Sequence, residues 1–352
     1  MVLPRLVPSA LLLAIVTLAT AAKIKHVVVL MEENRSFDHL FGYASQAGMK
    51  VDGLTGTESN PISTLNASSK RISVDDQSPY VGLCDPDHST PGTTQKIFGL
   101  AAVDAGNLTD PTMQGFIERA KQIHGKHAAK EDYCGVLSMF SPHKLPVITA
   151  LAKEYAIMDR FFCSHPGPTW PNRLYMLSAT SMGSTETGPW YRDEVGKLFP
   201  QKTIFDQLEE NGLTWRNYYN DTPHVDKLRC VPLSTQVSRF SLHLPPICRR
   251  WEMFLEKVAH NPANTQPMSA FFADAAAGTL PSFSWLNPAS GINVTTGVGS
   301  NDHHPDHDIA AGEAHYKAVY EALRAGPKWN ETLFVLTYDE HGARIAVCVL
   351  RQ

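Results

Sequence analysis

The sequence has no surplus of positive charge. Its 31 Lys and Arg stand against 35 Asp and Glu, a formal net charge of −4, so it lacks the basic excess that neutralises nucleic-acid phosphates, and nucleic acid is not an expected partner. Its six cysteines (Cys84, Cys134, Cys163, Cys230, Cys248 and Cys348) include no CxxC pair, which removes zinc-ribbon and thioredoxin-like readings. There is no internal repeat and no low-complexity tract. Past the N-terminus, no apolar run approaches the roughly 20 residues that cross a bilayer as a helix. What is present is a chain of 352 residues, long enough for one large α/β domain or two smaller ones. It carries 15 His, several of them beside Asp, a composition suited to phosphate or metal chemistry.

Arg5, the apolar run from Ala10 to Leu18, and small residues ending at Ala21 and Ala22 read as a secretory signal peptide over residues 1–22. Residues 23–352 are then one catalytic domain of a secreted protein. Sequons at Asn66, Asn107, Asn220, Asn293 and Asn330 fit an exported glycoprotein, and a sixth, at Asn34, falls inside the candidate site. Disulfides are the expected state of the cysteines. Cys230 and Cys248, which bracket a Pro-containing loop, are the preferred pair, and a free buried thiol is the competing reading for Cys163.

Ile24 to Met31 is a Val-rich apolar run, the pattern of an interior strand buried on both faces of an α/β sheet. It stops at Glu32, Glu33 and Asn34, and Ser36 to Phe41 begins a helix. Residues 44–110 are rich in Ser, Thr, Gly, Pro and Asn and read as surface excursions without a core of their own. Helices are expected from Leu145 to Met158, from Asn172 to Thr180 next to Thr169 and Pro171, and from a Thr203 cap to Gly212. Trp215 to Tyr219 is strand-like, and 220–267 reads as an insertion or lid. Glu313 to Arg324 is an amphipathic helix closed by Gly326 and Pro327. Thr332 to Thr337 is a second buried strand running into Tyr338, Asp339, Glu340, His341 and Gly342. The alternation argues α/β, in which ligands bind at the carboxyl ends of strands.

Phosphoester hydrolysis requires charge neutralisation at phosphorus, a nucleophile, and help for the leaving oxygen. Glu33 and Asn34 from one strand end, with Asp339 and Glu340 from the other, offer the hard oxygen ligands that a divalent cation takes. Taken alone, each acidic pair also reads as a helix N-terminal charge or a solvated loop. Thr169, in a Pro-rich turn before a helix, is a candidate nucleophile or a simple helix cap, and Arg173 is a candidate phosphate contact. The stretch 301–313 packs His303, His304 and His307 with Asp302, Asp306 and Asp308. These can bind metal, contact a phosphoryl group or protonate a leaving oxygen. A weaker cluster holds Asp85, Asp87 and His88, the last of which equally reads as an ordinary loop histidine.

Together, ENRSFDHLFG, PTWPNRLYMLSATS, NDHHPDHD and YDEHG resemble, in order, the motifs of the phosphoesterase family that contains non-specific phospholipases C and certain bacterial acid phosphatases, within the alkaline-phosphatase-like superfamily. The resemblance, over about residues 24–342, implies a mixed sheet flanked by helices in three α/β/α layers, a divalent metal ion, and a covalent phospho-enzyme. Glu33 and Asn34 match the first metal-binding pair and Asp339 and Glu340 the second. Thr169 falls where the family has its nucleophile and metal-bound hydroxyl. Asn172 and Arg173 match the following PNR, and His304 and His307 the HPxHD histidines. CDPDHS is loosely similar to DPDPGHS, which makes His88 a substrate-binding candidate together with His341 of YDEHG. Family members continue after DEHG with GFYDHV, whereas this chain reads ARIAVCVLRQ, so a C-terminal truncation is expected. Three functions are compatible: a phospholipase C touching membranes transiently, an acid phosphatase on small monoesters, and an inactive secreted binding protein. Trp170, Trp190, Tyr191 and Trp215 read either as an apolar approach surface or as core.

Overall fold

The structure is a computed structural model describing residues 23–82, 84–125, 133–187, 200–220, 261–290, 299–342 and 344. The expected signal segment, the Cys230 and Cys248 pair, most of the 220–267 insertion, and Trp190, Tyr191, Asn293 and Cys348 lie outside the described residues.

Five strands form the main sheet: β1 (His26–Glu32), β4 (Trp215–Tyr219), β5 (Thr265–Pro267), β6 (Phe283–Asn287) and β7 (Thr332–Tyr338), in the order β5-β4-β6-β1-β7. Where a mixed sheet was expected, every pairing among these five is parallel. Parallel pairs need long crossovers, and helices supply them. β1 lies between β6 and β7, the interior place its apolar run demands. Alternation along β1 then sorts two layers. Val28 and Leu30 face α5 (Pro146–Glu154), α8 (Met268–Ala277) and α9 (Ile309–Ala325), meeting Ile148, Phe271, Tyr316 and Val319. Val29 and Met31 face α6 (Thr169–Ser178) and α7 (Ile204–Glu210), meeting Leu174, Leu177 and Phe205. The three layers are those expected.

β7 departs from expectation. Leu333 is 47 % exposed and Phe334, Val335 and Leu336 are only partly buried, because among the described residues β7 has a neighbour on one side alone. Helix boundaries also shift. α6 begins at Thr169, with Pro171 in its first turn, where a missing N–H costs no intrahelical bond. α9 begins at Ile309, capped by Asp308, whose carboxylate accepts from Ala310 N–H. α7 has the expected Thr203 cap, completed by Asp206 into a reciprocal box. Trp170 and Trp215 are both buried, which settles them as core.

Residues 44–125 are more than surface excursions. They hold an antiparallel ribbon of β2 (Ser59–Pro61) and β3 (Arg71–Ser73), and helices α2 (Thr90–Phe98), α3 (Leu100–Asp104) and α4 (Phe116–His124). Leu54, Val74, Phe116, Ile117, Val136, Leu137 and Met139 pack into a separate apolar cluster, and a disulfide joins Cys84 to Cys134. These apolar residues are too scattered along the chain to show a period, so the small core escapes sequence reading.

Candidate active site

The carboxyl ends of β1 and β7 stop level, with Glu32 opposite Tyr338. The ladder then continues through irregular backbone: Asp339 N–H donates to Glu32 O at 3.1 Å, and Asn34 N–H donates to Asp339 Oδ1, also at 3.1 Å. Two turns cross at this point. Asn34 has φ +52° and Gly342 φ +64°, and a Cβ on Gly342 would fall 2.0 Å from the Asn34 carbonyl oxygen, so only glycine fits. Residues some 300 positions apart are thereby brought side by side, as the matching strand ends suggested.

The Asn34 amide lies at the centre. With its nitrogen turned to the acceptors, it donates to Glu340 Oε1 at 2.9 Å and Glu33 Oε2 at 3.1 Å, while its oxygen faces His304 Nε2 at 2.9 Å and His88 Nε2 at 3.3 Å. Arg173 Nη2 donates to Glu33 Oε1 at 2.6 Å, and its Nε stands 3.5 Å from Asp339 Oδ2. Thr169 is buried one helical turn before Arg173 on α6, so the two share a face. Asn172 braces the preceding turn: its Oδ1 accepts from His165 N–H at 2.8 Å, and its Nδ2 donates to the carbonyls of His165, Pro168 and Gly167 at 3.0 to 3.2 Å. Asn172 therefore shapes the turn that leads into Thr169.

The acids are held under electrostatic stress. Burial, then repulsion from Asp339, raises Glu33 well above the ordinary carboxylate range although Arg173 opposes it. Burial and Asp339 do the same to Glu340. Asp339 Oδ2 is buried with no hydrogen-bond partner among the described residues. Three carboxylates, crowded out of water with one guanidinium between them, form a hard oxygen donor set that fits a divalent cation, and the Asn34 amide joins it when turned so that its oxygen takes the place 2.9 Å from Glu340 Oε1 and 3.1 Å from Glu33 Oε2. Glu33, Asn34, Asp339 and Glu340 are the residues that would hold it, and Thr169 shares a helix face with the Arg173 that is bonded to Glu33.

The histidine-rich stretch separates into three uses. His303 is fully buried, bonded to the Tyr316 and Tyr338 hydroxyls, each at 2.6 Å, and packed so tightly that a Cβ on Gly312 would lie 1.8 Å from its ring. It is an interior link. Asp308 is the α9 cap. His304 and His307 face the site, ring centroids 5.3 Å apart. Asp306 braces His304 at 2.5 Å, and Asp302 braces His307 at 2.7 Å. Burial opposes protonation of His304, but the Asp306 bond and the charges of Asp85 and Glu33 outweigh it and carry the ring up to about 10. Ligand atoms of His304, Asp306 and His307 lie within 4.8 Å of one another, a second group able to hold a cation.

A third wall comes from the loop 84–89 and α2. His88, loosely supported by sequence, is brought to Asn34, and Asp85 Oδ2 lies 3.7 Å from His304 Nε2. His341 Nε2 is 3.4 Å from Thr93 Oγ1, and its Nδ1 is 3.8 Å from Glu340 Oε2. Burial, Lys96 and His88 push His341 down to about 3, so it stands neutral. Cys163 is a free thiol, pushed up to about 12 by burial and the nearby Glu340. Sequence reasoning missed Arg35, Lys96 and Arg119. Arg35 Nε donates to His303 O at 2.6 Å and ties the β1 end to the histidine loop. Its place inside ENRSF was an available signal, whereas Lys96 and Arg119 lie in unremarked helices.

The structure is a parallel α/β/α sheet whose adjoining strand ends present acids and an amide, with histidines against them, at the edge where α/β folds bind ligands. The Phosphoesterase family model matches residues 24–344, and the chain belongs to that family. It is similar to non-specific phospholipase C1 of Arabidopsis thaliana, 37 % identical over 319 residues, covering 91 % of this chain and 52 % of the relative. Non-specific phospholipase C6 of the same plant is 38 % identical over 320 residues, covering 91 % and 53 %. Phospholipase C A of Mycobacterium tuberculosis (strain ATCC 25618 / H37Rv) is 27 % identical over 341 residues, covering 91 % and 58 %. The chain thus spans about half the length of the curated relatives it matches.

Proposed function

We propose that this protein is a secreted, metal-dependent phosphoester hydrolase of the phospholipase C type, acting on phospholipids at transiently contacted membrane surfaces. The observation that carries the reading is the convergence of Glu33, Asn34, Asp339 and Glu340 around one point, with Arg173 bonded to Glu33 one turn after Thr169. The names of the relatives supply the substrate class. A divalent cation bound by the four strand-end residues and Thr169 would neutralise charge at phosphorus and lower the pKa of the Thr169 hydroxyl.

The chain's own residues do the rest. Thr169 Oγ gives up its proton to solvent and attacks phosphorus as the bond to the glycerol oxygen breaks, leaving a phosphothreonine that still carries the head group, and diacylglycerol once the leaving oxygen is protonated. The α6 N-terminus and Arg173 face the phosphoryl oxygens. His304 and His307, braced by Asp306 and Asp302, are placed to hand a proton to the leaving oxygen. Water then attacks phosphorus, the Thr169 Oγ–P bond breaks with return of a proton to Oγ, and the phosphorylated head group departs.

Hydrolysis of phosphatidylcholine vesicles and of a simple aromatic monoester, each with and without chelator, tests the reading. Chelation is expected to stop turnover, and Thr169→Ala to reduce it by about 10⁴-fold or more. Turnover of the monoester alone would replace the reading with an acid phosphatase. No turnover of either by folded protein would leave a binding protein, and activity surviving Thr169→Ala would remove the nucleophile assignment.

A further inference from the structure

His88 sits on a loop, yet it must meet Asn34 on a strand end, and a loop residue holds such a position only if its neighbours are fixed. Its own ring is set by Nδ1, which lies 2.9 Å from the Pro86 carbonyl; a carbonyl can only accept, so Nδ1 carries a hydrogen, while Nε2 lies 3.3 Å from the Asn34 side-chain amide. The adjacent residue, Asp87, is bound on every side. Its Oδ2 takes Arg119 Nε at 2.6 Å and Nη2 at 2.5 Å, its Oδ1 takes Ser89 N–H at 3.0 Å, and its carbonyl accepts from Lys96 Nζ.

This is a demanding arrangement for a loop of six residues. Lys96 is 1 % exposed, and sequestering an ammonium from water costs several kcal/mol in general. Close packing was also required. A Cβ on Gly92 would fall 2.1 Å from Asp87 Oδ2, and one on Gly115 2.1 Å from Gln95 O, so two glycines let α2 and α4 approach until both cations reach one residue. Lys96 lies one turn from Thr93, whose hydroxyl meets His341. The same helix face thus touches both the His88 loop and the end of β7.

We propose that Asp87, gripped by Arg119 and Lys96, is a positioning residue that fixes the His88 ring against Asn34. Charge-assisted bonds of this kind set direction as well as strength, and residues that orient a site group commonly contribute 10- to 100-fold to activity. The kinetic consequence rests on the phosphoester-hydrolase reading; the geometry of the ring does not.

The test uses the full chain labelled with ¹⁵N-histidine, in wild type, Asp87→Asn, Arg119→Ala and Arg119→Lys forms, with His88→Gln to assign the His88 signals. Wild-type long-range ¹⁵N–¹H correlations are expected to show a single His88 pattern with a hydrogen on Nδ1. Asp87→Asn and Arg119→Ala should convert it to a mixture while the His303 and His307 patterns stay fixed, and Arg119→Lys should partly restore the single form. On a soluble phosphodiester, kcat should fall by about 10- to 100-fold with KM changed less than about 3-fold. A His88 pattern unmoved in the folded variants would overturn the proposal, as would loss of thermal stability with kcat per folded molecule unchanged. Should the wild type turn over no phosphoester, the functional reading fails alone and the ring correlations still decide the positioning role.

Discussion

Glu33, Asn34, Asp339 and Glu340 are placed at the ends of a parallel ladder, which reaches Asp339 N–H on Glu32 O and is finished by the Asp339 carboxylate accepting from Asn34 and Glu340 N–H. His88 and Lys96 are placed against them by side chains, through the contacts of α2, α4 and the loop 84–89, and Thr93 of α2 meets His341 at the strand end. The two regions differ in what they leave unsatisfied. On the strand side, Glu33 and Glu340 are pushed up by burial and by repulsion from Asp339, and an oxygen of Asp339 has no hydrogen-bond partner among the described residues. On the helical side, Asp87 is fully engaged and the disulfide closes the loop, and what is left is the Lys96 ammonium, lowered to about 8 by burial, and one oxygen of Asp85 without a hydrogen-bond partner among the described residues. A ladder positions residues whatever their side chains do, so those side chains are free to be held in unfavourable states useful for binding. A loop has no such support and must devote side chains to its own geometry.

If this contrast is right, changes in the two regions carry opposite signatures. The largest expected effect is on the strand side. Asp339→Asn retains the Oδ1 acceptor used by Asn34 and Glu340 N–H but removes the crowded charge. Turnover should drop by about 10³-fold, while the metal-free protein resists urea as well as before or better by up to about 1 kcal/mol. A marked loss of stability there would break the comparison. On the helical side, replacing Cys84 and Cys134 together by Ser opens a loop of sequence separation 50. Equilibrium unfolding should show a loss of about 3 kcal/mol, with turnover per folded molecule reduced less than about tenfold. Smallest is Thr203→Ala at the α7 capping box, outside both regions: about 1 kcal/mol of stability and no change in turnover. A kinetic effect from that change would mean that activity follows global stability, and the regional contrast would lose its force.

The strand side was legible because its signal is local. Val27 to Met31 and Thr332 to Thr337 are apolar runs with acids immediately after them, and burial of the run dictates where the acids go. Thr169 and Arg173 were legible through their motif, and His304 and His307 through theirs. What could not be read was the division of labour inside one stretch: His303 and His304 are adjacent, yet the positive φ of His303 sends one ring into the interior and leaves the other at Asn34. The helical side was hidden for a different reason. Lys96 and Arg119 belong to short helices, and their meeting at Asp87 is a tertiary fact with no sequence spacing. β7 misled slightly, since apolar residues alone do not tell a two-sided strand from one at the edge of the described sheet.

The crossing of Asn34 under Gly342 also sets a timetable. Protein synthesis proceeds at about 5 to 20 residues per second, so the first half of the carboxylate cluster leaves the ribosome on the order of tens of seconds before its partner exists. During that interval Glu33 and Asn34 end a strand with no β7 neighbour, remain in water, and have no buried charge to stabilise. The electrostatic strain of the finished site therefore arises only on closure of a contact spanning most of the chain, late enough that the sheet and the helices of both layers are already available to bear it.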